Sequence, residues 1–318
     1  MAKYYIGADI GGTNVSVGLT DDRYKILRKN TIKTEKEKGY GAIVRNIAAA
    51  VGELIDGAGL SPKKIEWLGA GCPGLCNKDK GVLEWSNNLD WHNESLLSDL
   101  AELTGLPAHI DNDANAAAYG EFLAGAAKGT KSAVIITLGT GVGSGIIIDK
   151  KIYYGTNFAG GEIGHTVIEV DGYECTCGRR GCFEAYSSAT GLVRMTREAL
   201  EKDSGSKMHE LVDTNGKISA RTAWAAAKLE DKAGKEVVHK YIKYLAAGIT
   251  NVINTFQPDI VCIGGGVCGE GDNLLVPLKK IVKAEIFSKN SAKNAEIAIC
   301  KLGNDAGIIG AAMLGKLG

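Results

Sequence analysis

Twice in 318 residues an apolar run enters a glycine turn and leaves it as a second apolar run. The first pass is residues 4–9, Gly11-Gly12-Thr13-Asn14 and 15–19; the second, about 130 residues later, is 133–138, Gly139-Thr140-Gly141-Val142-Gly143 and 144–148. Each pass predicts two strands joined by a tight turn, and the recurrence predicts two related halves. A chain of this length exceeds what one ordinary core supports, which agrees with two domains or two halves. Between the two passes, helical periodicity over 40–57 and 95–104 alternates with strands at 65–70 and up to Asp111. Strand–helix alternation predicts a mixed or parallel sheet in an α/β fold. In the second half, helices are expected near 190–202, 219–229 and 236–255. A strand over 260–263 then enters Gly264-Gly265-Gly266, and a small-residue helix spans 307–314.

Glycine is abundant, at 43 residues, and gathers in loops that follow apolar runs, where a missing Cβ lets backbone approach a ligand closely. Three such turns stand out: Gly11-Gly12-Thr13-Asn14, Gly139-Thr140-Gly141-Val142-Gly143 and Gly264-Gly265-Gly266. Their backbone N–H groups can converge on phosphate oxygens, and Thr13 and Thr140 add hydroxyl donors. A single turn of this kind is an ordinary hairpin. Three of them, with Asp9 closing its strand beside the first, point to a nucleotide whose Mg²⁺ Asp9 would hold directly or through water. Two rival motifs fail on the residues. Gly129-Thr130-Lys131-Ser132 lacks the Lys directly after Gly that a P-loop requires. Gly264, Gly266 and Gly269 match G-x-G-x-x-G, but no helix–strand–acidic continuation is expected after them.

Asp111-Asn112-Asp113-Ala114-Asn115 follows a strand and opens an alanine-rich helix running to about Gly125. A helix N-terminus favours an ionised carboxylate, so Asp113 is suited to accept a proton from an alcohol. Helix capping alone would account for one of these polar residues, not for the set. His165, Cys175, Cys177 and Cys182 supply four soft or borderline ligands within 18 residues, the number that closes a tetrahedral structural Zn²⁺ site. Beside them, Glu162 in Gly160-Gly161-Glu162-Ile163-Gly164-His165, and Glu184, are carboxylates suited to hydrogen-bond sugar hydroxyls. Cys72, Cys76, Cys262, Cys268 and Cys300 read as small packed residues.

Composition narrows the function classes. Lys plus Arg (37) equals Asp plus Glu (37), so nucleic acid and anionic membranes are not expected partners. The N-terminus has no apolar signal segment and no 18-residue apolar run occurs, so a cytoplasmic location is expected, in a compartment that keeps eight cysteines reduced.

Taken together, these residues resemble the ROK family (repressors, open reading frames, kinases) of the actin/hexokinase-like, ribonuclease H-like phosphotransferase superfamily. Cys175-Thr176-Cys177-Gly178-Arg179-Arg180-Gly181-Cys182-Phe183-Glu184 matches the family signature C-x-C-G-x-x-G-C-x-E without departure, and Glu162-Ile163-Gly164-His165 and Asn112-Asp113 agree with it. The resemblance implies two domains, 1–115 plus 303–318 and 116–302, around an interdomain cleft. It implies that Asp113 is the catalytic base and that Asn112, Asp113, Glu162, His165 and Glu184 hold a sugar, with His165 also on zinc. Gly11, Gly12, Thr13, Asn14, Thr140 and Gly141 would meet the ATP phosphates, and Gly264, Gly265 and Gly266 the adenosine. Asn88 and Gly74 lie in stretches, Asn88-Leu89-x-Trp91 and Gly71-Cys72-Pro73-Gly74, similar to family loops lining the sugar cleft.

The resemblance further implies ATP-dependent phosphorylation of a hexose 6-hydroxyl, a role in glycolysis, and a homodimer or tetramer. Ser187-Ser188-Ala189-Thr190-Gly191 is similar to glucokinases of the Gram-positive type and favours glucose over N-acetylmannosamine, N-acetylglucosamine, fructose, allose or β-glucosides. A catalytically silent sugar sensor would not need both Asp9 and Asp113. The family's repressors carry a DNA-binding segment ahead of the first phosphate turn, for which Asp9 leaves no room, so the kinase branch is expected.

Overall fold

The computed structural model describes residues 3–212 and 215–317. Met1, Ala2 and Gly318, which close the expected segments 1–115 and 303–318, lie outside the described residues. In the first half, β1 (Tyr4–Ile10) turns at Gly11 into the antiparallel β2 (Asn14–Asp21), which pairs with β3 (Ile26–Lys33). After α1 (Tyr40–Gly57) the chain enters β4 (Ile65–Cys72), parallel to β1. Three short strands, β5 (Leu75–Asn77), β6 (Val82–Ser86) and β7 (Trp91–Glu94), make a separate antiparallel sheet. Next come α2 (Leu96–Thr104), β8 (Ala108–Asn112), which runs parallel to β4, and α3 (Asp113–Ala124).

The second half repeats the scheme with β9 (Ala133–Leu138), β10 (Val142–Ile148) and the short β11 (Lys151–Ile152). It continues through α4 (Phe183–Ser187), α5 (Ala189–Lys202), α6 (Thr222–Lys228), α7 (Lys232–Phe256), β12 (Ile260–Gly264), α8 (Asp272–Glu285), β13 (Glu296–Ile299) and α9 (Asp305–Ala312). One sheet runs β3-β2-β1-β4-β8 and the other β11-β10-β9-β12-β13, the same order when strands are counted along each half. The doubled strand–turn–strand reading thus corresponds to a doubled sheet. The helix α8 and the parallel pairing of β12 with β13 supply the helix–strand continuation that was not expected after Gly264. Pro277 inside α8 breaks the local helix signal.

Two compact units emerge: Met1–Ala133 with Gly145–Gly161 and Cys300–Gly318, and Val134–Ser144 with Glu162–Ile299. The expected boundary at 115/116 cuts through α3, whereas here the whole helix groups with the first unit. The reason is close packing on α9: a Cβ on Gly120 would lie 2.1 Å from the Ala306 carbonyl, and one on Gly310 1.7 Å from that of Ala116. Only two helices with small facing residues can approach this way.

The first unit's core joins Ile6, Ile10, Val17, Ile47 and Leu68, from β1, β2, α1 and β4, in one buried cluster. Because β1, β4 and β8 run parallel, their C-terminal ends open on the same edge of the sheet, the edge where open α/β sheets place ligands. In the second unit, α7 buries Val237, Tyr241, Leu245, Ile249 and Val252 along its inner side and is capped by Asp231, which accepts from the Gly234 N–H at 2.7 Å. A Cβ on Gly248 would strike the Phe183 ring at 2.2 Å, so α7 sets the seat of α4.

Candidate active site and metal centre

On the first unit, Asp9 lies next to the last residue of β1, Gly74 follows β4, Asn112 ends β8 and Asp113 follows it, all at that C-terminal edge. The first glycine turn is held by Gly11 N–H to Asn14 O (2.9 Å), the Thr34 hydroxyl to Gly11 O (2.6 Å) and Thr34 N–H to Thr13 O (3.0 Å). Gly12, Thr13 and Asn14 are exposed, and a Cβ on Gly12 would come 3.7 Å from the carbonyl of Asn88, so that loop lies beside the turn. Gly74 sits at φ +119°, and a Cβ there would lie 2.1 Å from the Trp85 carbonyl; no other residue fits.

The cap of α3 is Asn112, not Asp113. In extended backbone (φ −64°, ψ 144°), its Oδ1 accepts from the N–H groups of Ala114 (2.9 Å) and Asn115 (3.2 Å), and its Nδ2 donates to Gly74 O (3.1 Å). Capping is therefore done by the neighbour, and Asp113 carries its carboxylate on the first turn of α3. Its Oδ1 accepts from Ala114 N–H at 2.9 Å. Burial, then the negative charge of Asp113, pushes the Asp9 carboxyl up from 3.8 to about 7. Asp113 thus sits close enough to Asp9 to oppose its ionisation, an arrangement that one divalent cation relieves.

Behind this corner, Asp111 is 2% exposed. It accepts from Asn112 N–H (2.7 Å), Asn115 Nδ2 (3.1 Å) and the Tyr154 hydroxyl (2.8 Å), with Lys78 Nζ at 3.9 Å. Sequence reasoning missed Tyr154 and Lys78: they lie 43 and 33 residues from Asp111 along the chain, and no local pattern marks them. The packed reading of Cys72 and Cys76 holds, both being buried.

On the second unit, the turn at Gly139 is tied to the start of α5. Ala189 N–H donates to Gly139 O (2.8 Å) and the Thr190 hydroxyl to Thr140 O (2.8 Å), leaving Gly139 and Thr140 exposed. Gly265, at φ +101°, approaches the same strand end, since its Cβ would lie 2.1 Å from Leu138 O. Thr140, Gly141, Gly264, Gly265 and Gly266 therefore gather where β9 and β12 end. Glu184 on α4 joins this turn to the cysteine loop: Oε2 accepts from Val142 N–H (2.8 Å) and Oε1 from the Thr176 hydroxyl (3.1 Å). The segment carrying Glu162 and His165 is fastened by Ile163 N–H to the Ser144 hydroxyl (3.3 Å) and by Gly164, whose Cβ would meet Val142 O at 2.3 Å. Burial raises the Glu162 carboxyl above its usual range, with His165 opposing and Glu184 reinforcing the shift. The three sugar candidates of this unit are thus neighbours.

His165, Cys175, Cys177 and Cys182 bring their ligand atoms within 4.8 Å of one another. Cys177 Sγ lies 3.7 Å from Cys182 Sγ, and Cys175 Sγ 3.5 Å from His165 Nδ1. Tetrahedral Zn–S bonds of about 2.3 Å place two sulfurs roughly 3.8 Å apart, so the donor set and its spacing fit Zn²⁺. Burial, with the two neighbouring thiols adding, pushes the Cys182 thiol up to about 12. A cation among the thiols is what would let them ionise together. With Nδ1 turned to the thiols, the histidine keeps Nε2 for another partner.

No helix among the described residues is long and apolar enough to cross a membrane. The sequence profile of the ROK family matches residues 5–317. The chain is 38% identical to a glucokinase of Halalkalibacterium halodurans, over 99% of this chain and 95% of that protein. It is 36% identical to a glucokinase of Thermotoga maritima, over 98% and 96%. The crystal structure of a ROK family glucokinase from Streptomyces griseus in complex with glucose and AMPPNP superposes with a TM-score of 0.82 at 32% identity, covering 99% of this chain and all of that one. The doubled α/β sheet is therefore the actin/hexokinase-like fold of ROK sugar kinases. On the strength of the profile, the relatives and the fold together, this chain belongs to the ROK family.

Proposed function

We propose that the chain is an ATP-dependent hexose kinase that phosphorylates the 6-hydroxyl of glucose. The observation that carries the reading is the corner at the end of β8: Asn112 caps α3, and Asp113 sits beside it, across from Asp9. The glucokinase relatives at 36% and 38% identity and the Streptomyces griseus structure with glucose and AMPPNP support the substrate pair. In this reading Asp113 accepts the proton of the 6-hydroxyl as the sugar oxygen bonds to the γ-phosphorus and the bond from that phosphorus to the bridging oxygen breaks, releasing ADP. Asn112 orients the sugar from the same corner, together with Gly74 and Asn88, while Glu162, His165 and Glu184 hydrogen-bond its remaining hydroxyls.

The turn of Gly11, Gly12, Thr13 and Asn14 and that of Thr140 and Gly141 supply N–H and hydroxyl donors to phosphate. Gly264, Gly265 and Gly266 leave room for the adenosine. Phosphoryl transfer asks little covalent chemistry of a protein, so positioning and charge stabilisation account for most of the rate. Asp9 is the carboxylate that would hold Mg²⁺, which when bound neutralises phosphate charge. His165, Cys175, Cys177 and Cys182 would hold a structural Zn²⁺ that fixes the loop carrying Glu184. Eight cysteines, none of them in a disulfide among the described residues, support a reducing, cytoplasmic setting, and the assembly is proposed as a homodimer.

The test is coupled ADP release across glucose, N-acetylmannosamine, N-acetylglucosamine, fructose, allose and a β-glucoside. Glucose is expected to give the highest kcat/KM, with little ADP formed when sugar is omitted. ADP release that no sugar accelerates would overturn the kinase reading; a different preferred sugar would overturn only the substrate.

A further inference from the structure

Asp111 is buried beside the proposed base, yet it has no part in the reaction as proposed. Its surroundings form one linked set. The Tyr154 hydroxyl donates to Asp111 Oδ2 (2.8 Å) and accepts from Lys78 Nζ (2.7 Å), which also lies 4.0 Å from the centre of the Tyr154 ring. Asp111 Oδ1 holds the backbone N–H of Asn112, the residue that caps α3. A tyrosine hydroxyl has one proton, and here each neighbour fixes its use: the ammonium can only donate, so the phenol proton goes to the carboxylate.

The other end of Tyr154 is equally fixed. Its carbonyl accepts from Gly160 N–H (2.8 Å), closing a loop that contains Gly155 at φ +68°. A Cβ on Gly160 would lie 2.6 Å from the Tyr154 carbonyl carbon, so the closure depends on glycine. The chain then passes through Gly161 directly into Glu162. One side chain therefore links the backbone of the Asn112-Asp113 corner to the closed loop of residues 154–160.

We propose that Tyr154 and Lys78 are positioning residues for phosphoryl transfer. The phenol, locked by the ammonium, fixes the Asp111 carboxylate and through it the angle at which Asn112 and Asp113 meet the sugar. Burial raises the Asp111 carboxyl, and the Lys78 charge and the Tyr154 hydrogen bond work against that shift, so both partners favour the ionised form that accepts the Asn112 N–H. The inference rests on the kinase reading, and a wild type without sugar-dependent ADP release fails that reading before any variant is made.

The experiment compares Tyr154→Phe, Lys78→Met and the double variant by steady-state kinetics and thermal melting. A small misplacement at a reacting centre costs up to about 100-fold in rate. The expected result for Tyr154→Phe is therefore a kcat roughly 10- to 100-fold lower with the KM for ATP little changed, in protein that melts cooperatively. The double variant should lose no more than the worse single one, because both act through one carboxylate. A merely structural role would lower the melting temperature and leave kcat per folded molecule alone. Values of kcat and KM within twofold of wild type in the folded single variants, or losses that multiply in the double, would overturn the proposal. Should Tyr154→Phe not fold, Lys78→Met carries the test by the same criteria.

Discussion

Asp9→Asn perturbs an acid whose ionisation the fold resists. In the free protein the Asp9 carboxyl is pushed to about 7, first by burial and then by the charge of Asp113. A carboxyl at about 7 is about 0.9 protonated at pH 6 and about 0.1 protonated at pH 8. If Asp9 serves the Mg²⁺ of the nucleotide, binding Mg–ADP must drive that proton off. Calorimetric titration in two buffers of different ionisation enthalpy should then report release of about 0.9 of a proton at pH 6 and about 0.1 at pH 8, taken as wild type minus Asp9→Asn. The subtraction removes the protons that the nucleotide itself exchanges.

The same ionisation enters stability with a definite sign. An acid whose folded pKa lies above its unfolded value keeps its proton longer in the folded state, so its contribution to stability falls as pH rises from about 4 to about 7 and is flat beyond. At about 1.4 kcal/mol for each tenfold change in ionisation constant, the full difference is about 4 kcal/mol. Asn carries no proton, so Asp9→Asn should gain on the wild type over that interval. Equal proton release by wild type and variant at pH 6, together with parallel stability profiles, would refute both the raised pKa and the role drawn from it.

Two further perturbations test the rest of the site. Removing Zn²⁺ by chelation, or Cys177→Ser, should raise the KM for sugar more than that for ATP and speed hydrogen exchange over 165–184; full activity and unchanged exchange in protein shown to contain no zinc would refute the metal's part. Asn112→Ala removes both cap hydrogen bonds and the link to Gly74, so it should cost about 1–2 kcal/mol in thermal unfolding and raise the sugar KM, whereas Asn112→Asp, which keeps the cap, should recover most of the stability but not the KM.

What could be read from sequence was what is local. The glycine turn after β1, the bounds of α1 and the ligand run from His165 to Cys182 are patterns completed within 20 residues or so, where spacing and residue type carry the physics. The place of Asp113 at a helix start is legible in the sequence, while the cap beside it is legible only in three dimensions, because Asn112 and Asp113 are equally good capping types. The sheet of β5, β6 and β7 was missed because its strands have three to five residues and mix polar Asn77, Glu84 and His92 with apolar neighbours. β3 escaped notice as a polar edge strand, most of whose residues are exposed. The set of Asp111, Tyr154 and Lys78 joins residues 33 to 76 apart, and nothing in a single sequence announces such pairing.

In the proposed reaction Asp113 takes the proton from the sugar while the rest of the corner binds and orients it. The direct measurement is Asp113→Ala, assayed for glucose binding by calorimetry and for ADP release at saturating glucose and ATP. General-base catalysis contributes about 10²- to 10⁴-fold, so turnover should fall by that order while the glucose Kd stays within a few-fold of wild type. A kcat near that of the wild type in a variant that still binds glucose would rule out Asp113 as the base.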